Sequence, residues 1–171
     1  MHYHNIIHDD MRNGDGLRVT LFVSGCTHHC KNCQNPETWD LKSGILFDKN
    51  AEDEIFEQLN QDYISGITFT GGDPLNESNR FNIQQLVNKI KALYPTKTIW
   101  LYTGYVFEDL INLSASDIAL KDILEGVDVL IDGRYDETLR NINLKWRGSS
   151  NQRIINVPKS LDEGTVICYY D

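Results

Sequence analysis

Four short runs rich in β-branched and aromatic residues, each closed by a glycine-containing turn, do most to limit what this chain can become. They are Leu17–Val23, Gly66–Thr70, Lys97–Tyr102 and Val127–Ile131, followed by Ser24-Gly25, Gly71-Gly72, Thr103-Gly104 and Asp132-Gly133. Runs of this kind predict strands. Helical patterns lie between them. Asn50–Asn60 opens on acidic residues, which favour the positive end of a helix dipole, and sets Ile55, Phe56 and Leu59 on one face. Asn79–Tyr94 repeats Ile83, Leu86, Val87 and Ile90 at helical spacing and stops at Pro95. Phe107–Leu113 and Asp117–Glu125 predict shorter helices. Strands that alternate with helices imply βαβ units, and therefore an α/β fold with a mostly parallel sheet. Ligands of such sheets sit beyond the carboxyl ends of the strands, so the four turns are expected along one edge. Arg147–Arg153, with Gly, Ser and Asn, reads as a loop.

The 171 residues suit one domain, 1–171, with a single core. No apolar run approaches the roughly 20 residues that span a bilayer. The opening MHYHNIIHDDMRNGDG lacks the basic start and apolar block of a secretory signal. A cytoplasmic protein without membrane contact is expected. The formal charge of −9 would repel a phosphate backbone. The densest basic segment, Arg134–Arg153, reads as solvated surface, so no nucleic-acid partner is expected.

Directly after the first strand comes Cys26-Thr-His-His-Cys-Lys-Asn-Cys33. Three of the four cysteines crowd into this stretch, unlike the spread cysteines of a secreted disulfide scaffold. Structural zinc needs four ligands in a closed tetrahedron. The second half of the usual ligand pattern is missing here, His28 or His29 would strain so tight a loop, and Cys168 would have to arrive from far along the chain. Iron and sulfur fit the count better. Clusters are usually held by four cysteines, and three would leave one iron open, as sites that bind substrate do. His28 and His29 are expected to face solvent around such a group, and Cys168 to be a small buried apolar residue. His2, His4 and His8 read as a flexible or strand-like terminus.

The C-x3-C-x2-C loop resembles the cluster loop of the radical S-adenosylmethionine enzymes. Its flanks resemble one branch, the anaerobic ribonucleoside-triphosphate reductase activating proteins: Asp15-Gly16-Leu17-Arg18, Leu21-Phe22-Val23-Ser24-Gly25-Cys26, Cys33-Gln34-Asn35, Thr38-Trp39, Ile99–Tyr105, Asp128–Gly133 and Arg147–Arg153. Two departures from the wider superfamily stand out: Asn32 where an aromatic residue is frequent, and Gly71-Gly72-Asp73-Pro74 where the turn is usually Gly-Gly-Glu-Pro. The resemblance implies an open, incomplete (β/α) barrel of the radical S-adenosylmethionine type. It implies an oxidoreductase with a [4Fe–4S] cluster on Cys26, Cys30 and Cys33. The open iron would be filled by S-adenosylmethionine, whose reductive cleavage yields a 5′-deoxyadenosyl radical that takes hydrogen from a glycine of the large reductase subunit. Gly71, Gly72 and Asp73 would hold the methionine end, with the Asp73 carboxylate on its ammonium. Asn32 and Gln34, beside Cys33, would meet the adenine edge through backbone groups. Thr103 would lie against methionine or ribose, and Asp132 either meets the ribose or only forms its turn. A flavodoxin or ferredoxin would donate the electron. The rival readings are an activase for another glycyl-radical enzyme, of the formate-lyase type, and a non-catalytic zinc module.

Overall fold

The structure, a computed structural model, describes residues 1–170. One sheet of seven strands organises it: β1 (His2–Asp10), β2 (Leu17–Val23), β3 (Ile45–Leu46), β4 (Ile64–Gly71), β5 (Thr98–Tyr102), β6 (Val129–Asp132) and β7 (Arg153–Asn156), in the order β3-β1-β2-β4-β5-β6-β7. The helices are α1 (Lys49–Leu59), α2 (Glu77–Leu93), α3 (Phe107–Ser114), α4 (Ile118–Gly126) and α5 (Val157–Glu163). The sheet does not close.

The α/β class and the four expected strands are present, but the sheet is mixed rather than mostly parallel. β2, β4, β5 and β6 run parallel. β1 pairs antiparallel with both β2 and β3, and β7 antiparallel with β6. The short link Met11–Gly16 dictates the antiparallel pairing of β1 with β2, because a parallel return needs a crossover of a dozen or more residues.

Alternation along the central strands sorts their side chains between two faces. Val19, Leu21, Val23, Ile67, Phe69, Ile99, Leu101 and Leu130 join the main core with Ile55, Leu59, Ile83, Leu86, Val87 and Ile90 of α1 and α2. The opposite face carries Arg18, Thr20, Thr68, Thr70, Trp100 and Tyr102, and a second, smaller cluster of Trp100, Val129, Ile131 and Ile154. One face is thus a packed core, and the other a largely polar and aromatic trough. Side-chain caps fix the helix starts: Asp48 accepts from Ala51 N–H, Asn76 from Ser78 N–H, and Asp117 from Leu120 N–H. Among the described residues no helix is long and apolar enough to cross a membrane.

Candidate functional site

Because β2, β4, β5 and β6 are parallel, their carboxyl ends share one edge, and the chain gathers its glycine turns there. The turn after β4 is tied to the end of β2 by Gly72 N–H to the Val23 carbonyl at 2.8 Å and Asp73 N–H to the Gly25 carbonyl at 2.8 Å. The approach leaves no room for a side chain, since a Cβ on Gly72 would lie 2.7 Å from the Gly25 oxygen. The cysteine loop leaves from the same place. Gly25 N–H and Cys26 N–H donate to the Thr38 and Trp39 carbonyls at 2.7 and 3.0 Å, closing the loop at its base. Inside it, Cys33 N–H donates to the Cys30 carbonyl at 3.1 Å, and His29 and Asn32 take left-handed φ values of 47° and 54°. Those two residues supply the tight curl, and left-handed non-glycine residues concentrate at functional loops.

Cys26, Cys30 and Cys33 are free thiols that ring a cavity of about 120 Å³ with Gly71, Gly72, Asp73, Thr103 and Gly133. Burial pushes the Cys26 and Cys30 thiols up from their ordinary pKa. Backbone N–H groups of His28 and His29 at Cys26, and of Tyr135 at Cys30, pull the other way. Asn35 N–H donates to Cys33 Sγ at 3.4 Å. Among the described residues no three His, Cys, Asp or Glu side chains converge as the ligands of one ion do. Thiols spread around a cavity suit a polynuclear group whose thiolates attach to different metal atoms. Two further features fit such a group. Trp39, in the same wall, holds a buried indole N–H without a partner, and cluster sulfurs accept such donors. Gly133 has φ +91°, and a Cβ there would meet nothing closer than 3.9 Å, so its missing side chain keeps space open.

A larger cavity of about 480 Å³ shares Cys33, Thr70, Tyr102, Tyr135 and Gln152 with the first and is also lined by Gln34 and Asn35. Burial raises the Tyr102 phenol well above its ordinary pKa, so it stays protonated. Arg147–Arg153 builds one wall. Gln152 Oε1 accepts from Gly148 and Ser149 N–H at 2.9 and 3.2 Å, and its Nε2 donates to the Gly133 carbonyl at 3.0 Å. Ser149 Oγ accepts from Asp136 N–H at 3.1 Å. The segment is a brace for the turn after β6.

The edge therefore unites the three cysteines, Gly71, Gly72, Asp73 and Thr103, with Gln34 alongside. Other residues stand elsewhere. Asn32 is exposed, with its amide on the Glu137 carboxylate. Asp132 is buried, but its carboxylate accepts from Phe107 N–H at 2.8 Å and from Arg153 Nε at 3.0 Å, which spends it on fixing α3 and β7. The Asp73 carboxylate also faces inward, onto the chain's own donors. His28 does not face solvent: its side chain is 5% exposed and its Nε2 lies 2.7 Å from Asp73 Oδ2. His29 is exposed and stacks on Trp39 at 4.7 Å. Cys168 is exposed rather than buried, because it lies in a single bridge to Ile155 at the sheet margin. His4 and His8 go separate ways, to Ser43 and Glu54. Trp39, Tyr102, Tyr135 and Gln152 were not picked out individually from sequence. Strand alternation marks Tyr102 only, since it shares the face of Trp100.

Comparison with known proteins gives the family. Residues 12–155 match the 4Fe-4S single cluster domain family. The anaerobic ribonucleoside-triphosphate reductase-activating protein of Enterobacteria phage T4 is 47% identical over 154 residues, covering 90% of this chain and 93% of that protein. Proteins of the same name from Escherichia coli K12 and Vibrio cholerae are 43% and 41% identical, covering 89% and 90% of this chain and 96% and 97% of theirs. The loop of three cysteines, the glycine turn against it and the Arg147–Arg153 brace all fall within the matched residues, and the chain belongs to the family of the anaerobic ribonucleoside-triphosphate reductase-activating proteins, built on a 4Fe-4S single cluster domain.

Proposed function

We propose that this chain is a radical S-adenosylmethionine enzyme that installs a glycyl radical on the large subunit of an anaerobic ribonucleoside-triphosphate reductase. The observation that carries the reading is three cysteines, with no fourth among the described residues of the lining, ringing a cavity against a glycine turn at the carboxyl edge of parallel strands. Cys26, Cys30 and Cys33 hold the [4Fe–4S] cluster. Bound there, the group would supply the single electron for reductive cleavage of the 5′-carbon–sulfur bond of S-adenosylmethionine, giving methionine and a 5′-deoxyadenosyl radical that would take a hydrogen atom from the reductase glycine and leave as 5′-deoxyadenosine.

The chain's residues bind, orient and shield. Gly71 and Gly72 expose backbone to the methionine end, as residues without Cβ can, and Asp73 and Thr103 shape that turn. Gln34, in the wall of the larger cavity, and the Asn32 backbone serve the adenine end beside Cys33. Asp132 has no place in this scheme, since Arg153 and the Phe107 N–H occupy its carboxylate. Tyr102 and Trp39, in the wall of the cysteine cavity, keep water from the cysteines. The trough stays open on one side because the sheet does not close, and through that opening a loop of the reductase reaches the site. A flavodoxin or ferredoxin supplies the electron. Thiolate ligation of this kind fits a reducing, cytoplasmic setting.

Reconstitution without oxygen tests this. Protein loaded with iron and sulfide, reduced and given S-adenosylmethionine should release 5′-deoxyadenosine and methionine in equal amounts. One equivalent of zinc, no labile sulfide and no 5′-deoxyadenosine would refute the reading.

A further inference from the structure

We propose that His28 is a positioning residue that locks the cysteine loop to the glycine turn through Asp73. Its Nε2 lies 2.7 Å from Asp73 Oδ2, and the two side chains are 5% and 2% exposed. An ionised carboxylate only accepts, so Nε2 is the protonated nitrogen. The imidazole is held from its other sides as well. Tyr105 meets it edge-on at 4.6 Å. Gly104 packs so close that a Cβ there would stand 2.4 Å from His28 Cδ2.

Asp73 has no acceptor site to spare. Leu75 N–H donates to Oδ1 at 2.8 Å, Thr103 Oγ1 lies 3.0 Å from both oxygens, and Gly104 N–H donates to Oδ2 at 3.0 Å. With His28 these contacts fill the roughly four lone-pair sites of a carboxylate. Asp73 therefore acts through the turn it anchors and not as the direct partner of a substrate ammonium, a role that falls to the turn's backbone. One carboxylate thus fixes three segments: the cysteine loop through His28, the turn after β4 through its own backbone, and the turn after β5 through Thr103 and Gly104. His28 stands midway between Cys26 and Cys30, and Asp73 follows Gly72 directly. A ligand that bridges the cluster and the glycine turn must fit both at once, so this contact sets the distance it spans. Small misplacements of such elements are expensive in rate.

This inference rests on the radical S-adenosylmethionine reading above, and the test separates the two. Wild type, His28→Ala, His28→Gln and Gly104→Ala are reconstituted without oxygen. Iron and sulfide content, the electron paramagnetic resonance (EPR) spectrum of the reduced cluster with and without S-adenosylmethionine, and the affinity for S-adenosylmethionine are then measured. His28→Ala should keep the cluster, lose most of the spectral change on adding S-adenosylmethionine, and bind it about 10-fold or more weakly, the size typical when a group that orients a ligand is removed. His28→Gln, whose amide N–H can reach Asp73, should recover much of this. Gly104→Ala, which pushes the imidazole off Asp73, should behave like His28→Ala. Wild-type affinity and spectrum in His28→Ala would overturn the proposal alone. So would cluster loss in His28→Ala that His28→Gln does not repair, since that is loop packing only. A wild-type cluster that S-adenosylmethionine leaves unchanged would overturn the functional reading and this inference with it.

Discussion

Arg18 shows how much of this molecule rests on single side chains whose roles a sequence does not display. It is fully buried on the trough face, without a carboxylate partner among its hydrogen bonds. Its five N–H donors go instead to Thr68 Oγ1, the Asp15 carbonyl, Thr98 Oγ1, and the Ile67 and Thr98 carbonyls, at 2.6–3.0 Å, and its guanidinium lies over the Trp100 ring. Burial lowers its pKa to about 10, so it remains charged at neutral pH. Arg18→Met should lower stability by about 3 kcal/mol or more, because several buried acceptors lose their donor at once. Arg18→Lys should recover only part of that, lacking the planar fork. A urea midpoint that moves with the slope unchanged is the expected readout, and an unmoved midpoint would contradict the assignment. At the site, replacing any one of Cys26, Cys30 or Cys33 by Ala should abolish cluster-bound labile sulfide, while Cys168→Ala, exposed and remote from the cavity, should retain it. The cysteines were legible because their spacing is local. The His28–Asp73 contact was not, because it joins residues 45 positions apart and depends on two turns meeting in space.

The strands β2, β4, β5 and β6 and helices α1 to α4 could be read within a few residues, since each carries its own period and its own stop, such as Pro95 after α2. β1 was harder: His2–Asp10 is mostly polar, and little of it beyond Ile6 and Asp10 is buried, so only its pairing with β2 makes it a strand. β7 and α5 follow a loop whose internal bonds centre on Gln152, and nothing periodic announces them. Arg153, at the start of β7, holds Asp132 and both oxygens of Glu108, the latter at 2.9 and 2.7 Å, and so couples the last strand to the start of α3. The hydrogen bond from Arg153 lowers the Glu108 carboxyl from its ordinary 4.5 to about 2. A lowered carboxyl stabilises the fold above its unfolded value and loses that contribution as pH falls through the folded one. Wild type should therefore exceed Glu108→Gln in stability above about pH 4.5, and the gap should close toward pH 2. Glu108 is more than half exposed, so solvent screening holds the gap to no more than about 1 kcal/mol. Denaturant melts of both proteins across that range check it, and a gap that widens on acidification would contradict the pairing.

At the scale of the whole molecule, a sheet with helices packed on one face leaves a trough on the other, and the loops at one end of that trough carry the candidate site. The class and the site edge followed from sequence because parallel strands put their turns together. The antiparallel flanks did not, because they depend on short links and on strands that look like termini. What the unclosed sheet offers is access: the cysteines stand beside an opening, which the proposed action on a loop of another protein requires. The most direct measurement is EPR on the reconstituted, reduced protein mixed with S-adenosylmethionine and the large subunit of an anaerobic ribonucleoside-triphosphate reductase. If the chain installs the proposed radical, the reductase should show a glycyl-radical signal that requires S-adenosylmethionine and is absent with the Cys30→Ala variant. An intact cluster that yields no such signal, or a signal that persists without the cluster cysteines, would contradict it.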